Sequence, residues 1–281
     1  GVTLHAYYSW SSSIVGDAAV DVVPVLPPEA DAGSYQPSPE DLKRLAGLDA
    51  IVVNGLGHDD FIKGLLTAAG NTKIRLIAPN DGVPLIPYHR GRSHAHGGDA
   101  PKDPAAPPAF NPHTFLSLTT ALQQVYALER ELASGWPAHA ETFRTNARAY
   151  AKRLRRIKAE ASARLAGAAV ARVAIVHDGY AYLLQEFGIE TAAVIEPAHG
   201  VQPSVGELAK TVEAIRAANV AVVFSERSFP EPLVETIRRE TGARVYTLDH
   251  INRGAYSKER FEEAMKNNVD TLIQALVDDR K

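Results

Sequence analysis

Four side chains in this chain stand where a single transition-metal ion could use them: His58, His113, His177 and Asp249. Asp249 follows the short apolar run Arg244-Val245-Tyr246-Thr247-Leu248, and His177 follows Arg172-Val173-Ala174-Ile175-Val176. His58 stands just past Ala50-Ile51-Val52-Val53-Asn54. If these runs are strands, three ligand-type residues leave three strands at their carboxyl ends, which in an open α/β sheet is where ligands bind. His113 starts a helical pattern after Asn111-Pro112, and the proline restricts the direction in which the next side chain leaves the backbone.

Each position also has a structural reading. His177 could equally be a core histidine bonded to backbone; as a ligand it offers one nitrogen to the ion and needs a partner for the other, with Asp178 or a carbonyl available. His113 could be an exposed residue of a first helical turn, and Asp249 could cap the turn after its strand. Asn54-Gly55-Leu56-Gly57 has two of the glycines of a dinucleotide fingerprint, but Asp60 occupies the place of the third. The acidic pair Asp59-Asp60 would also repel a pyrophosphate there. These glycines therefore read as a tight turn presenting His58.

Other chemistries find no support. There is no Gly-x4-Gly-Lys-Ser/Thr loop, no Gly-x-Ser-x-Gly elbow and no His-Glu-x-x-His helix. The absence of cysteine excludes disulfides, thiolate metal sites and cysteine nucleophiles. A net charge of −3 gives no reason to expect a nucleic-acid partner. No apolar run reaches the roughly 18 residues that cross a bilayer. No basic amino-terminal segment leads into an apolar one, so any targeting peptide is expected to have been removed already.

The elements that must position these residues alternate along both halves of the 281-residue chain. In the first half, strands are predicted at Val20–Leu26, Ala50–Asn54 and Ile74–Ala78. A helix opens at Ser38-Pro39-Glu40-Asp41, where a cap, a first-turn proline and a carboxylate coincide. In the second, strands are predicted at Val173–Val176, Ala192–Ile195, Val220–Phe224 and Val245–Leu248, with a helix opening at Ser204-Val205-Gly206-Glu207 and a last one over Lys258–Val277. Such alternation implies mostly parallel sheets covered by helices. Between the halves, Thr114–Ser134 reads as helical. Pro137–Leu165 reads as a longer helix with Phe143, Ala147, Tyr150, Leu154, Ile157 and Ala161 at three- and four-residue spacing. Tyr88–Pro112, with His89, His94 and His96 among glycines and prolines, reads as a long loop, either functional or a solvated insertion.

The ordered series of motifs resembles the metal-binding solute receptors of bacterial ABC importers, the zinc/manganese group. The resemblance rests on Val25-Leu26-Pro27-Pro28-Glu29-Ala30-Asp31, Ser34–Asp41, Asn54-Gly55-Leu56-Gly57, Asn111-Pro112-His113-Thr114-Phe115-Leu116-Ser117, His177-Asp178-Gly179-Tyr180, Gln202-Pro203-Ser204 and Thr247-Leu248-Asp249. It implies an α/β fold of two Rossmann-like lobes joined by one long rigid helix, with the metal in the cleft between lobes. On that basis residues 1–136 form the first lobe, 137–166 the connecting helix and 167–281 the second lobe. It also implies His113, His177 and Asp249 as ligands. The family's usual first ligand is a histidine in Asp-Pro-His-Ser-Tyr, where this chain has Asp31-Ala32-Gly33-Ser34-Tyr35. Either water completes the site or another residue substitutes, with His58 the first candidate and Asp59 the second.

The function implied is a periplasmic or other extracytoplasmic receptor, a monomer, that captures Zn2+ and passes it to an ABC permease without catalysis. Three imidazoles and a carboxylate suit Zn2+ better than Mn2+, which stays the alternative ion. A zinc hydrolase is the competing reading: three protein ligands and a water resemble a catalytic zinc, and Glu226 could act as its general base.

Overall fold

Short β-branched runs between helical segments pair in parallel, as the alternation predicts. In the computed structural model, which describes residues 1–70, 73–87, 110–168, 171–196 and 202–279, the chain runs as follows. Helices α1 (His5–Val15) and α2 (Pro39–Leu45) precede strand β1 (Ala50–Val52), helix α3 (Phe61–Ala69) and strand β2 (Arg75–Ile77). Helices α4 (Leu118–Gly135) and α5 (Ala140–Leu165) come next, then strand β3 (Arg172–Ile175), helix α6 (Ala181–Glu186), strand β4 (Glu190–Val194) and helix α7 (Val205–Ala217). Strand β5 (Val222–Glu226), helix α8 (Glu231–Thr241), strand β6 (Arg244–Leu248) and helix α9 (Arg260–Ile273) complete the order.

These elements group into two compact units that interleave along the chain. The first comprises Gly1–Pro84, Leu118–Ile157 and Ile251–Ala264; the second comprises Leu85–Ser117, Lys158–His250 and Met265–Lys281. Helix α5 passes from one to the other at Ile157–Lys158. It buries Phe143, Ala147, Tyr150, Leu154 and Ala161, the face its periodicity marks, and leaves Ile157 half-buried.

In the first unit, β1 and β2 are parallel, and Val2 bridges Val52 on one side and Pro24 on the other. The predicted run at Val20–Leu26 contributes only this bridge, because Pro24 has no N–H to donate to a ladder. Val25, Leu45, Ile51, Val53, Ile62 and Leu65 form the core beneath these strands.

In the second unit, four parallel strands lie in the order β4-β3-β5-β6. Val223 and Ala174 pack from the sheet against Ile215, Val234 and Ile237 of the flanking helices. The order puts β3 and β5 at the centre, so the residues after Ile175 and Glu226 leave from the middle of the sheet. Both predicted capping boxes form: Ser38 with Asp41, and Ser204 with Glu207, whose carboxylate accepts the Ser204 N–H at 2.8 Å. Helix α4 starts later than the sequence suggests, at Leu118 instead of Thr114. The Asn111 side chain takes the His113 N–H at 3.0 Å, and the backbone turns at His113–Leu116 before the helix begins.

Candidate metal centre

Three buried imidazoles converge in the second unit. Among the described residues, His113, His177 and His250 form a group whose ligating atoms all lie within 4.8 Å of one another. Their ring centroids are 5.1, 5.0 and 4.8 Å apart, a nearly regular triangle. The Nε2 atoms of His113 and His177 are 3.5 Å apart. A tetrahedral ion with bonds of about 2.0–2.1 Å to two imidazoles holds their nitrogens about 3.4 Å apart, close to this separation.

The tautomer of His113 is set by Asn111. The Asn111 Oδ1 accepts the His113 backbone N–H at 3.0 Å and faces His113 Nδ1 at 2.8 Å, while its Nδ2 donates to the Asp178 carbonyl at 2.7 Å. A backbone N–H can only donate and a carbonyl can only accept, so the amide orientation follows from its partners. Nδ1 of His113 therefore carries the proton, and Nε2 keeps the lone pair that a metal needs. The same amide ties the His113 segment to the turn after His177, which fixes the spacing of two ligands with one side chain.

His177 leaves the end of β3 and heads the single turn Asp178–Tyr180. Its Nδ1 faces the Glu226 carboxylate, at the end of β5, at 3.5 Å. Glu226 in turn accepts from Ser228 Oγ at 2.8 Å and from Tyr180 OH at 3.4 Å. Burial, followed by the charges of Glu226 and Asp249, pushes the Tyr180 phenol well above its usual range, so it stays a donor. Glu226 thus lies behind His177, on the side away from Nε2. That is the position of a carboxylate that orients a ligand, and it differs from the general-base role the hydrolase reading gave it.

His250 is the member that the sequence reading missed. It follows Asp249 at the end of β6, is 4% exposed, and meets Phe115 and Tyr180 nearly edge-on at 6.0 and 5.9 Å. The signal available was the dipeptide Asp249-His250 itself, two ligand types at one strand end. The chain then leaves through Ile251, buried and at φ 59°, a left-handed conformation that is strained for a β-branched residue.

The other candidates lie as follows. Asp249 is half-buried in the same unit but outside the three-histidine group; its backbone is clamped by Asn268, which accepts its N–H at 2.7 Å and donates to its carbonyl at 2.8 Å. His58 belongs to the first unit, buried in the turn before α3, and is also outside the group. Asp59 is committed to that turn, accepting from Thr3 Oγ1 and Asn54 N at 2.6 Å each and from Gly55 N at 3.2 Å. Gly33 sits in a one-turn helix capped by Asp31. His89, His94 and His96 lie outside the described residues.

A match to zinc-uptake complex component A, periplasmic, covers residues 2–275. The chain belongs to the ZnuA family. Among solved structures, that of the SBP FpvC from Pseudomonas aeruginosa in complex with Mn2+ is 44% identical, with a TM-score of 0.87 over 99% of this chain and 97% of that one. FpvC has also been solved with Ni2+. A putative metal-binding protein of Treponema pallidum is 26% identical over 94% of this chain and 83% of its own length. The iron-binding protein YfeA of Yersinia pestis is also 26% identical, over 94% and 81%. The chain is thus a metal-binding solute-binding protein of the ABC-importer type, with the two-lobed α/β fold and long helix of the ZnuA family. Members of the ZnuA family are transport proteins that work with membrane permease components, and its periplasmic description agrees with the extracytoplasmic expectation. Among the described residues no helix is long and apolar enough to cross a membrane.

Proposed function

We propose that this protein is the extracytoplasmic receptor of an ABC importer for a divalent transition-metal ion, Zn2+ in preference to Mn2+. It holds the ion through His113, His177 and His250. The observation that carries this reading is the convergence of three buried imidazoles, one with its tautomer set by Asn111 and one backed by Glu226. Relatives are described with manganese, nickel and iron, so the fold alone does not choose the ion. The donors do. Imidazole suits zinc, copper, iron and nickel, whereas manganese favours carboxylate, carbonyl and water, and affinity at a nitrogen site rises from manganese toward zinc. The carboxylates of Glu226 and Asp249 offset part of the cation's charge without displacing an imidazole. Capture and release need no bond chemistry, and the partner is a membrane permease that meets the receptor as a monomer.

The test is a competition titration of the metal-free protein. It should bind one Zn2+ at least ~100-fold more tightly than Mn2+, in line with the affinity order at nitrogen donors. Equal or greater manganese affinity would sink the zinc assignment. The other two candidate ligands are tested the same way. His58→Ala or Asp249→Ala should each cost at least ~10-fold if the residue completes the coordination, a loss that even orienting residues typically cause. Wild-type affinity in either variant removes that residue from the ligand set.

A further inference from the structure

Helix α5 concentrates positive charge that the rest of the chain lacks. Between Ala140 and Ile157, its part in the first unit, it carries six basic side chains and one acidic, Glu141, in a chain whose total is −3. Arg144 is answered by Glu141, and Arg153 by Glu262 at 2.8 Å. Among the described residues Arg148 and Lys152, both exposed, form no ion pair or hydrogen bond. With Arg155 they stand at i, i+4 and i+7, on one face of the helix.

Arg155 carries this face across to α4. It donates to the Tyr126 hydroxyl at 3.0 Å and lies over the Tyr126 ring at 5.6 Å. Arg130, one turn along α4 from Tyr126 and so on the same side of that helix, is exposed and also makes no ion pair among the described residues. Four cations on two helices of one unit are thus left without a carboxylate partner.

The chemistry of this face selects its partner. Protein interfaces are anchored by aromatic or aliphatic side chains ringed by polar ones. Among the described residues the exposed large apolar side chains, Val23, Leu76, Val205 and Val277, belong to other segments, and Tyr126 is occupied by Arg155. A surface of anionic headgroups needs no such anchor, and attraction to it grows roughly 5-fold with each Lys or Arg nearby. The overall charge of −3 opposes attachment only weakly. At physiological ionic strength screening acts within about 8 Å, less than a helix diameter, so the charge of the face in contact decides.

We infer that the α4–α5 face of the first unit is a docking surface for anionic phospholipid headgroups, which holds the receptor against the membrane that carries its permease. The inference takes from the receptor reading only the location, outside the cytoplasm and beside a membrane. It involves none of the three imidazoles, which belong to the other unit.

The experiment sediments the full chain with vesicles of phosphatidylcholine alone or mixed with phosphatidylglycerol, at low and at physiological salt. Binding is expected to the mixed vesicles only and should weaken as salt is added. Arg130→Gln, Arg148→Gln and Lys152→Gln together should weaken it by roughly 100-fold, about 5-fold for each cation. Lys43→Gln, Lys63→Gln and Lys266→Gln remove the same net charge from exposed sites on α2, α3 and α9, and together should cost less than about 3-fold. The first triple variant should keep wild-type zinc affinity and melting temperature, which shows an intact fold. If it does not fold, Lys152→Gln alone must lose roughly 5-fold, and no loss overturns the inference. Equal binding to both vesicle types, no binding to either, or equal losses in the two triple variants would each overturn it. So would self-association of the lipid-free chain that the first triple variant abolishes, because a second copy would then occupy the face. Wild type that binds no metal defeats the receptor reading, while the vesicle result stands on its own.

Discussion

A histidine serves as a ligand through one nitrogen only when the other is committed, and for His113 that commitment comes from Asn111. The same amide donates to the Asp178 carbonyl, so one buried side chain sets both the tautomer of His113 and its distance from the His177 turn. Asn111→Ala should therefore weaken zinc by roughly 10–100-fold without removing any ligand. Asn111→Asp keeps the acceptor for His113 and loses the donor to Asp178, so it should fall between wild type and alanine; calorimetry would find the three proteins equal in affinity if the amide had no orienting role. Protons compete for the same nitrogens. Imidazoles bind metal only when neutral, so zinc affinity should decline as pH falls and the ligands protonate, with protons released on binding at acid pH. Binding heats measured in buffers of different ionisation enthalpy count those protons, and a count that does not rise as the pH is lowered would argue against imidazole ligation.

Among the elements, α2 shows how local sequence rules act through buried charge. Asp41 accepts from Ser38 N at 2.7 Å, from Ser38 Oγ at 3.0 Å and from Tyr35 OH at 2.8 Å, and it pairs with Arg44. Burial by itself would raise its pKa, but these donors and the Arg44 charge together hold the carboxyl below the usual range. A carboxyl depressed in the folded state contributes stability above its unfolded value, about 3.9, and that contribution disappears as pH falls through the folded value. Asp41→Asn should cost about 1–2 kcal/mol at neutral pH, the scale of a lost helix cap. The difference from wild type should shrink in urea melts at about pH 3, below the unfolded carboxylate value. A cost that stays constant with pH would mean that packing, and not the charge, is what Asp41 supplies.

For the whole molecule, an ion that binds the folded chain and not the unfolded one adds stability by mass action. Free Zn2+ at 100 times its dissociation constant should add about 2.7 kcal/mol, raise the melting temperature and be reversed by a chelator. All three imidazoles belong to the second unit, carried by the loop before α4 and the ends of β3 and β6. Hydrogen exchange should accordingly slow on zinc addition around residues 111–117, 177–182 and 248–251. Protection confined to the first unit would place the ion elsewhere.

Much of this was legible in the chain. Capping boxes at Ser38 and Ser204, the apolar face of α5 and the four strands of the second unit follow from short-range patterns, because each depends on neighbours within a few residues. The places of His113 and His177 were legible for the same reason: an Asn-Pro turn and a strand end are local. Tertiary structure decided the rest. Asp249 and His250 are adjacent ligand types just past β6, and which of them meets the other imidazoles depends on the pairing of β6 with β5, where Glu226 lies opposite Leu248. Glu226 acts behind His177 because β3 and β5 are neighbours, a fact of strand order that no local pattern carries. Local chemistry can nominate ligands; their convergence depends on contacts between residues far apart in sequence.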